Sequence, residues 1–302
     1  MKTVVDPKRF GVSFSVKQCA HFGSDPVKVL HWLIKDMGFR RFRLMSYWDE
    51  VEKNRGQFDF KELDREIAAI EAVGGVIILA VGVKQPRYPE YHWPDWAWEL
   101  SKPDRDEALL KYLRLLIERY KDNNNIISYH LENEALLTGF GERIEIDRRR
   151  LFKEFTAVKE IDNKKPIVMS TSAAWGIPII GPIPDLVGFS YYLIRWKDSK
   201  YTTTYHYAWI HRLRAILIRL IWWKKSFIHE LQMEPWGPKD IWEMTLAQQD
   251  ESMGPKQIKK NFKHGKATRL YPIDLWGGEW WYQRAVIDKD QSVAKLVKTN
   301  CQ

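Results

Sequence analysis

Two short stretches of this 302-residue chain hold carboxylates where they could do chemistry. One is His130-Leu131-Glu132-Asn133-Glu134 and the other is His229-Glu230-Leu231-Gln232-Met233-Glu234-Pro235-Trp236-Gly237; each follows an apolar run as it opens into polar residues. Two facing carboxyl groups can divide a substitution at carbon between them. One attacks as an anion, while the other protonates the leaving oxygen and then activates water. At a glycosidic bond, retention of configuration requires the pair to stand about 5 to 5.5 Å apart, with unequal acidities. Arg43, in Gly38-Phe39-Arg40-Arg41-Phe42-Arg43, offers a cation that would keep the attacking group charged, and a carboxyl without such a neighbour would keep its proton.

Something must bring these stretches together. Short apolar or β-branched runs at 10–15, 40–45, 76–81, 126–131, 166–170, 186–191, 226–231 and 268–275 alternate with helical-period segments at 26–37, 60–73, 105–120, 147–161 and 205–222. The alternation predicts an α/β fold, a closed (β/α)₈ TIM barrel, with one catalytic domain over 1–302. In such a barrel the site is built at the carboxyl ends of the strands. Glu134 then follows strand four and Glu230 follows strand seven, on opposite sides of the mouth. The stretch 172–184 is rich in Gly and Pro and offers no fifth helix, and 281–300 reads as a broken final helix.

With these residues in place, the chain resembles glycoside hydrolase clan A over nearly its whole length. The clan's Asn-Glu pair matches Asn133-Glu134, its strand-seven glutamate Glu230, its strand-two arginine Arg43, and its strand-eight tryptophan Trp276 in Leu275-Trp276-Gly277-Gly278-Glu279. The segment Trp48-Asp49-Glu50-Val51-Glu52, with Gly56, Phe58, Asp59, Phe60, Leu63 and Asp64 after it, is similar to the stretch after strand two in the clan's β-galactosidase-like branches. The resemblance implies a retaining hydrolase of β-linked sugars that needs no cofactor, with Glu134 as acid/base and Glu230 as nucleophile. It also implies that Asn133 contacts a sugar 2-hydroxyl and that Tyr192, in Gly188-Phe189-Ser190-Tyr191-Tyr192, steadies the nucleophile. Ala135 departs from the proline that many members carry after the Asn-Glu pair.

Neighbouring carboxylates compete for these roles. Glu132, two residues from Glu134, would share its side of a strand, and its plainer role is at the barrel rim. Glu234 is read as a partner for a sugar hydroxyl, and Glu279 as either a sugar ligand or a cap of the barrel. Fifteen tryptophans are more than a core requires. Trp48, Trp93, Trp96, Trp175, Trp236, Trp276 and Trp280 all fall after strands, and Trp276, Trp48 and Trp236 are the expected stacking platforms for sugar rings.

Composition narrows the other classes. Cys19 and Cys301 lie too far apart in sequence for a disulfide framework, and His21, His130 and His229 lack metal-ligand spacing, so no metal is expected. The net charge of +9 comes without a zinc-finger or RNP-like pattern, so an oligo- or polysaccharide partner is expected rather than nucleic acid. Transglycosylation, a carbohydrate-binding barrel without catalysis, and a basic interaction protein are the alternatives. No signal-like segment or long apolar run is read, which fits a cytoplasmic protein. Within 207–225, Trp209, Ile210, Leu213, Ile216, Leu217, Leu220 and Ile221 repeat at helical spacing and are expected to face the barrel. The other reading is a peripheral membrane contact, which would expose Ile218 with Trp222 or Trp223 beside the basic residues.

Overall fold

The structure, a computed structural model, describes residues 8–137, 141–142, 146–171, 181–204 and 207–301. Eight parallel strands close into a barrel. They are β1 (Phe10–Phe14), β2 (Arg41–Met45), β3 (Val76–Val81), β4 (Ile126–Leu131), β5 (Ile167–Thr171), β6 (Leu186–Tyr191), β7 (Lys225–Gln232) and β8 (Ile273–Trp276). β8 pairs with β1 to complete the ring, and a small antiparallel hairpin (Ile194–Lys197 and Lys200–Thr203) extends the loop after β6. The last predicted strand started too early, because Thr268 ends the helix Pro255–Thr268. That helix, and Leu246–Met253 before it, were not anticipated. Their buried faces carry few apolar side chains, with Asn261, Gly265 and Thr268 beside Ile258 and Phe262, and Gln249 and Ser252 beside Met253, so little apolar period is left to read.

Local chemistry sets the helix starts. Asp25 accepts from the Val27 amide ahead of Pro26–Lys35, Ser101 accepts from the Asp104 amide ahead of Lys102–Tyr120, and a Thr245/Gln248 capping box opens Leu246–Met253. The closing segment is broken as expected, into Gly278–Tyr282, the π-helical turn Gln283–Ile287 and Ser292–Cys301. The predicted gap at 172–184 falls largely on residues 172–180, and Trp175 with it, outside the described residues.

Strand alternation divides the side chains into two populations. Outward residues such as Val12, Phe42, Leu79, Leu131 and Ile228 join the helices in the main apolar core. Inside the barrel, Ile78, Val168 and Phe227 form a small apolar plug, and polar groups fill the space above it. Arg41 pairs with Asp274 at 2.7 Å, Asp274 meets His229 Nδ1 at 3.4 Å, and the His229 ring lies edge-on to His130 at 4.4 Å. Burial holds both histidines well below their usual pKa, hence neutral.

Helix Ala208–Trp222 takes the place of the sixth barrel helix, but with its faces reversed. It buries Ile210, His211, Arg214 and Ile218, while Trp209, Leu213, Ile216, Leu217, Leu220 and Ile221 face outward. The inner face is fixed by Arg214, which lies over the Phe189 ring at 4.2 Å and donates to Thr171 Oγ1 at 2.8 Å, and by His211 against Tyr191 at 4.3 Å. Two expectations are therefore corrected: the long apolar stripe does not face the barrel, and Ile218 is buried, although Trp223 is exposed beside the basic residues. Among the described residues no helix is long and apolar enough to cross a membrane.

Gly11 on β1 shows how tightly the interior polar groups are packed. A Cβ there would overlap the Asp274 carboxylate and crowd Arg41 Cγ at 2.9 Å, and Asp274 cannot yield without leaving Arg41. Gly11→Ala is expected to lower unfolding free energy by about 1–3 kcal/mol, read as a lower urea midpoint at unchanged slope. A midpoint at the wild-type value would mean that the barrel floor adjusts freely.

Candidate active site

β4 ends at Leu131, and the chain then turns sharply, with Glu132 at φ 51° and Glu134 at φ 44°. Non-glycine residues held there cost about 1 kcal/mol or more each, so the turn needs anchors. Glu132 supplies one: its buried carboxylate accepts from the Val83 and Lys84 amides at 2.7 and 2.9 Å. It therefore does not share a face with Glu134, because the alternation stops where the strand does. Ser170 supplies another, accepting from the Glu134 amide at 2.8 Å and donating to Asn133 Oδ1 at 3.3 Å, with His130 Nε2 3.1 Å away.

Glu230 owes its direction to a β-bulge. Phe189 pairs with Ile228 but Ser190 with Glu230, and Ile273 pairs with Ile228 but Leu275 with Leu231, so β7 carries an extra residue against both neighbours. Regular alternation would send Glu230 outward once His229 points in; the bulge lets both face the barrel axis. There Glu230 Oε1 lies 2.8 Å from Arg43 Nη1, with both side chains almost wholly buried, and Tyr192 donates to Oε2 at 2.9 Å. No N–H of Arg43 points along the ion pair, so the attraction is Coulombic rather than that of an aligned hydrogen bond. Arg43 Nε donates instead to Ser13 Oγ at 3.0 Å.

Ser190 Oγ stands between the two carboxyl groups, 2.7 Å from Glu134 Oε1 and 3.4 Å from Glu230 Oε2. Those two oxygens can be no farther apart than the sum of these distances. Burial, and then the Glu230 charge, raise the Glu134 pKa to about 7 against smaller opposing effects of Ser190, Lys84 and Arg195. The site thus holds one carboxyl that keeps its proton near neutrality and one paired with arginine.

Both carboxyls line a cleft of about 860 Å³ at the barrel mouth. Asn133, Tyr192, Glu234, Trp236 and Trp276 also line it. The Trp236 ring lies 5.4 Å from that of Tyr192, and the Trp276 ring carries Arg87 at 3.8 Å. Two expected ligands lie elsewhere. Trp48 is fully buried, stacked on Tyr112 at 5.4 Å, with its indole N–H bound to Glu52, so it is part of the core and no sugar platform. Glu279 lies beneath the cleft, accepting from the Ser15 amide at 2.7 Å and from Arg87 at 2.8 Å. Trp93 and Trp280 are also core residues.

The loop after β3 adds cleft residues that no motif in the sequence marks. Arg87 (φ 86°) and Glu90 (φ 71°) both line the cleft from it, and only their charge among the prolines of Gln85-Pro86-Arg87-Tyr88-Pro89-Glu90 could have drawn notice. Arg87 joins Glu234, at 2.5 Å, to Glu279. Glu90 accepts from Asn133 Nδ2 at 3.3 Å, and burial, with the charges of Glu230 and Glu134, raises its pKa to about 8 against the pull of Lys84. Among the described residues no His, Cys, Asp and Glu group is arranged to hold a metal ion.

A (β/α)₈ barrel with this carboxyl pair at its mouth is a glycosidase of clan A. Residues 5–224 match the cellulase family, and the chain belongs to glycosyl hydrolase family 5. The match stops before β7, so the position of Glu230 rests on the geometry described above. Among solved structures, the chain is similar to the GH5_18 protein of Streptomyces cattleya in complex with GlcNAc (TM-score 0.66, 15% identity, covering 98% of this chain and 80% of that one). It is also similar to a GH5_18 protein of Bifidobacterium longum subsp. infantis (TM-score 0.65, 12% identity, 98% and 78%). A curated relative, β-galactosidase BbgII of Bifidobacterium bifidum, is 29% identical over 104 residues, 29% of this chain and only 15% of that protein.

Arg87 carries the clearest structural consequence of the site. Removing it leaves Glu234 and Glu279 together without their cation, Glu279 almost wholly buried. Arg87→Met is expected to destabilise the fold by about 3–5 kcal/mol at neutral pH. Burial already raises the Glu279 pKa, so acidification lets that carboxyl take up a proton and the deficit shrinks. Denaturation of both proteins across pH checks this; a deficit that grows on acidification would contradict it.

Proposed function

We propose that this chain hydrolyses a β-linked glycoside with retention of configuration, Glu230 attacking the anomeric carbon and Glu134 serving as acid and then base. The observation that carries the reading is the Ser190 hydroxyl between the two carboxyls, which lies within reach of one oxygen of each and so sets them facing across the cleft as a pair. The inequality of the pair supports the assignment of roles: Glu134 retains a proton to give to the leaving oxygen, and Glu230 faces Arg43 and the Tyr192 hydroxyl. Asn133, fixed between Ser170 and Glu90, is assigned to the hydroxyl next to the anomeric carbon; Trp276 and Trp236 are assigned to sugar faces. Glu234 holds Arg87 and has its remaining hydrogen-bonding capacity at the cleft wall. The β configuration is carried over from similar proteins, which include one in complex with Manβ1-4GlcNAc, a β-galactosidase and an endo-β-1,4-xylanase.

The chemistry balances in two steps. In the first, a Glu230 oxygen bonds to the anomeric carbon as the glycosidic C–O bond breaks, and the Glu134 proton passes to the departing oxygen. In the second, Glu134 takes a proton from water, whose oxygen displaces Glu230. The raised Glu134 pKa sets a basic limb: below about pH 7 the acid is protonated, and kcat/KM falls as pH rises through that value.

Glu134→Gln is expected to abolish this limb on aryl glycosides with good leaving groups, and to lower kcat/KM about 10²–10⁴-fold on poor ones. Glu90→Gln should leave the limb in place. Glu230→Gln should lose turnover on both substrates. Azide should rescue Glu134→Ala as a β-glycosyl azide, and NMR should show the β-anomer as first product; an α-product with rescue of Glu230→Ala would reverse the two roles.

A further inference from the structure

The outward stripe of helix Ala208–Trp222 plays no part in the cleft. Leu220 is 69% exposed and Trp209 57%, and Trp223, just past the helix end, is 75% exposed; Leu213, Ile216 and Ile221 fill the space between them. An apolar surface of this continuity on a protein in water marks a contact. The helix cannot turn to hide it, because Arg214 and His211 on the opposite face are buried and bonded within the barrel wall.

The charges around the stripe identify the partner. Residues 207–225 contain no Asp or Glu, and Arg212, Arg219 and Lys225 are exposed beside the stripe. Helix Pro255–Thr268 packs against this helix, also lacks acidic residues, and exposes Lys256, Lys259, Lys260 and Lys263. Asp185, an acidic group tied to this edge, is already held by Lys224 and Lys159. A symmetric contact with a second copy would set cation against cation. An anionic lipid surface satisfies both features: its acyl boundary takes the apolar side chains, its headgroups take the lysines and arginines, and tryptophans at the two ends suit the interface.

We propose that the face formed by helices Ala208–Trp222 and Pro255–Thr268 docks on a bilayer surface rich in anionic headgroups. The stripe enters the interface and the lysine band lies on the headgroups. At 15 residues, Ala208–Trp222 is shorter than the roughly 20 that span a bilayer, so it lies on the surface.

Flotation with phosphatidylcholine vesicles, with and without phosphatidylglycerol, tests this with the full chain. The protein should float with the anionic vesicles at low salt, and weakly with phosphatidylcholine alone or at high salt. Leu220→Ser and Trp223→Ser should each lower the partition coefficient by roughly tenfold or more. Lys259→Gln, Lys260→Gln and Lys263→Gln should each lower it about fivefold. All five variants should keep the wild-type thermal midpoint within a few degrees and unchanged activity on a soluble aryl glycoside. No flotation at low salt would overturn the proposal, as would flotation indifferent to Leu220 and Trp223. So would a dimer in sedimentation velocity that dissociates on Ile216→Glu while vesicles stay empty, since a second copy would then cover the stripe.

Discussion

The ion pair of Arg43 and Glu230 is the constraint on which the rest of the site depends. Both side chains are almost wholly buried, and neither charge could remain there alone without a penalty of several kcal/mol. The arginine fixes where the carboxylate must be. The carboxylate's charge in turn contributes to the retained proton on Glu134, second only to burial. Ser13 accepts from Arg43 Nε, and the Tyr192 and Ser190 hydroxyls reach Glu230 Oε2. A barrel core of aliphatic residues would hold strands together as well, but it could not hold a charge at its mouth.

The same logic extends downward and outward. Beneath the pair, Arg41, Asp274 and the neutral His229 and His130 carry polar contacts from the barrel floor to Ser170, and Ser170 holds the turn bearing Asn133 and Glu134. Beside it, Arg87 ties Glu234 to Glu279 and rests on Trp276. Glu230, Glu234 and Glu279 each have an arginine within reach, and Glu132 has two backbone amide donors. The turn residues with positive φ, Glu132 and Glu134 after β4 and Arg87 and Glu90 after β3, are held by these contacts rather than by local preference.

Much of the barrel was legible because its strands are short apolar runs separated by periodic helices; Asn133, Glu134 and Tyr192 follow strands, while Arg43 and Glu230 lie within β2 and β7 and face the axis the strands enclose. What escaped had physical causes. Trp48 and Glu279 sit at the right places in the chain, but their side chains point into packing and an ion network, and sequence position does not reveal direction. Helix Ala208–Trp222 has a period that identifies a helix but not which face is covered, and here buried aromatic and guanidinium contacts outweigh the aliphatic stripe. Arg87 and Glu90 lie in an irregular loop, where no period exists to be read.

The extra residue in β7 bears on how such a site could arise. A strand offers a ligand only every second side chain, so His229 and Glu230 could not both reach the axis on a regular ladder. The inserted residue is His229: Ile228 stays opposite Phe189 and Glu230 opposite Ser190, so the faces below and above the bulge match those of the neighbouring strand. A single-codon insertion in an ancestral strand could thus have added the histidine beside a glutamate that already faced the arginine. The reverse deletion would leave the glutamate in place and cut the link from Asp274 to His130, so the carboxyl pair and the polar chain beneath it could be gained or lost separately.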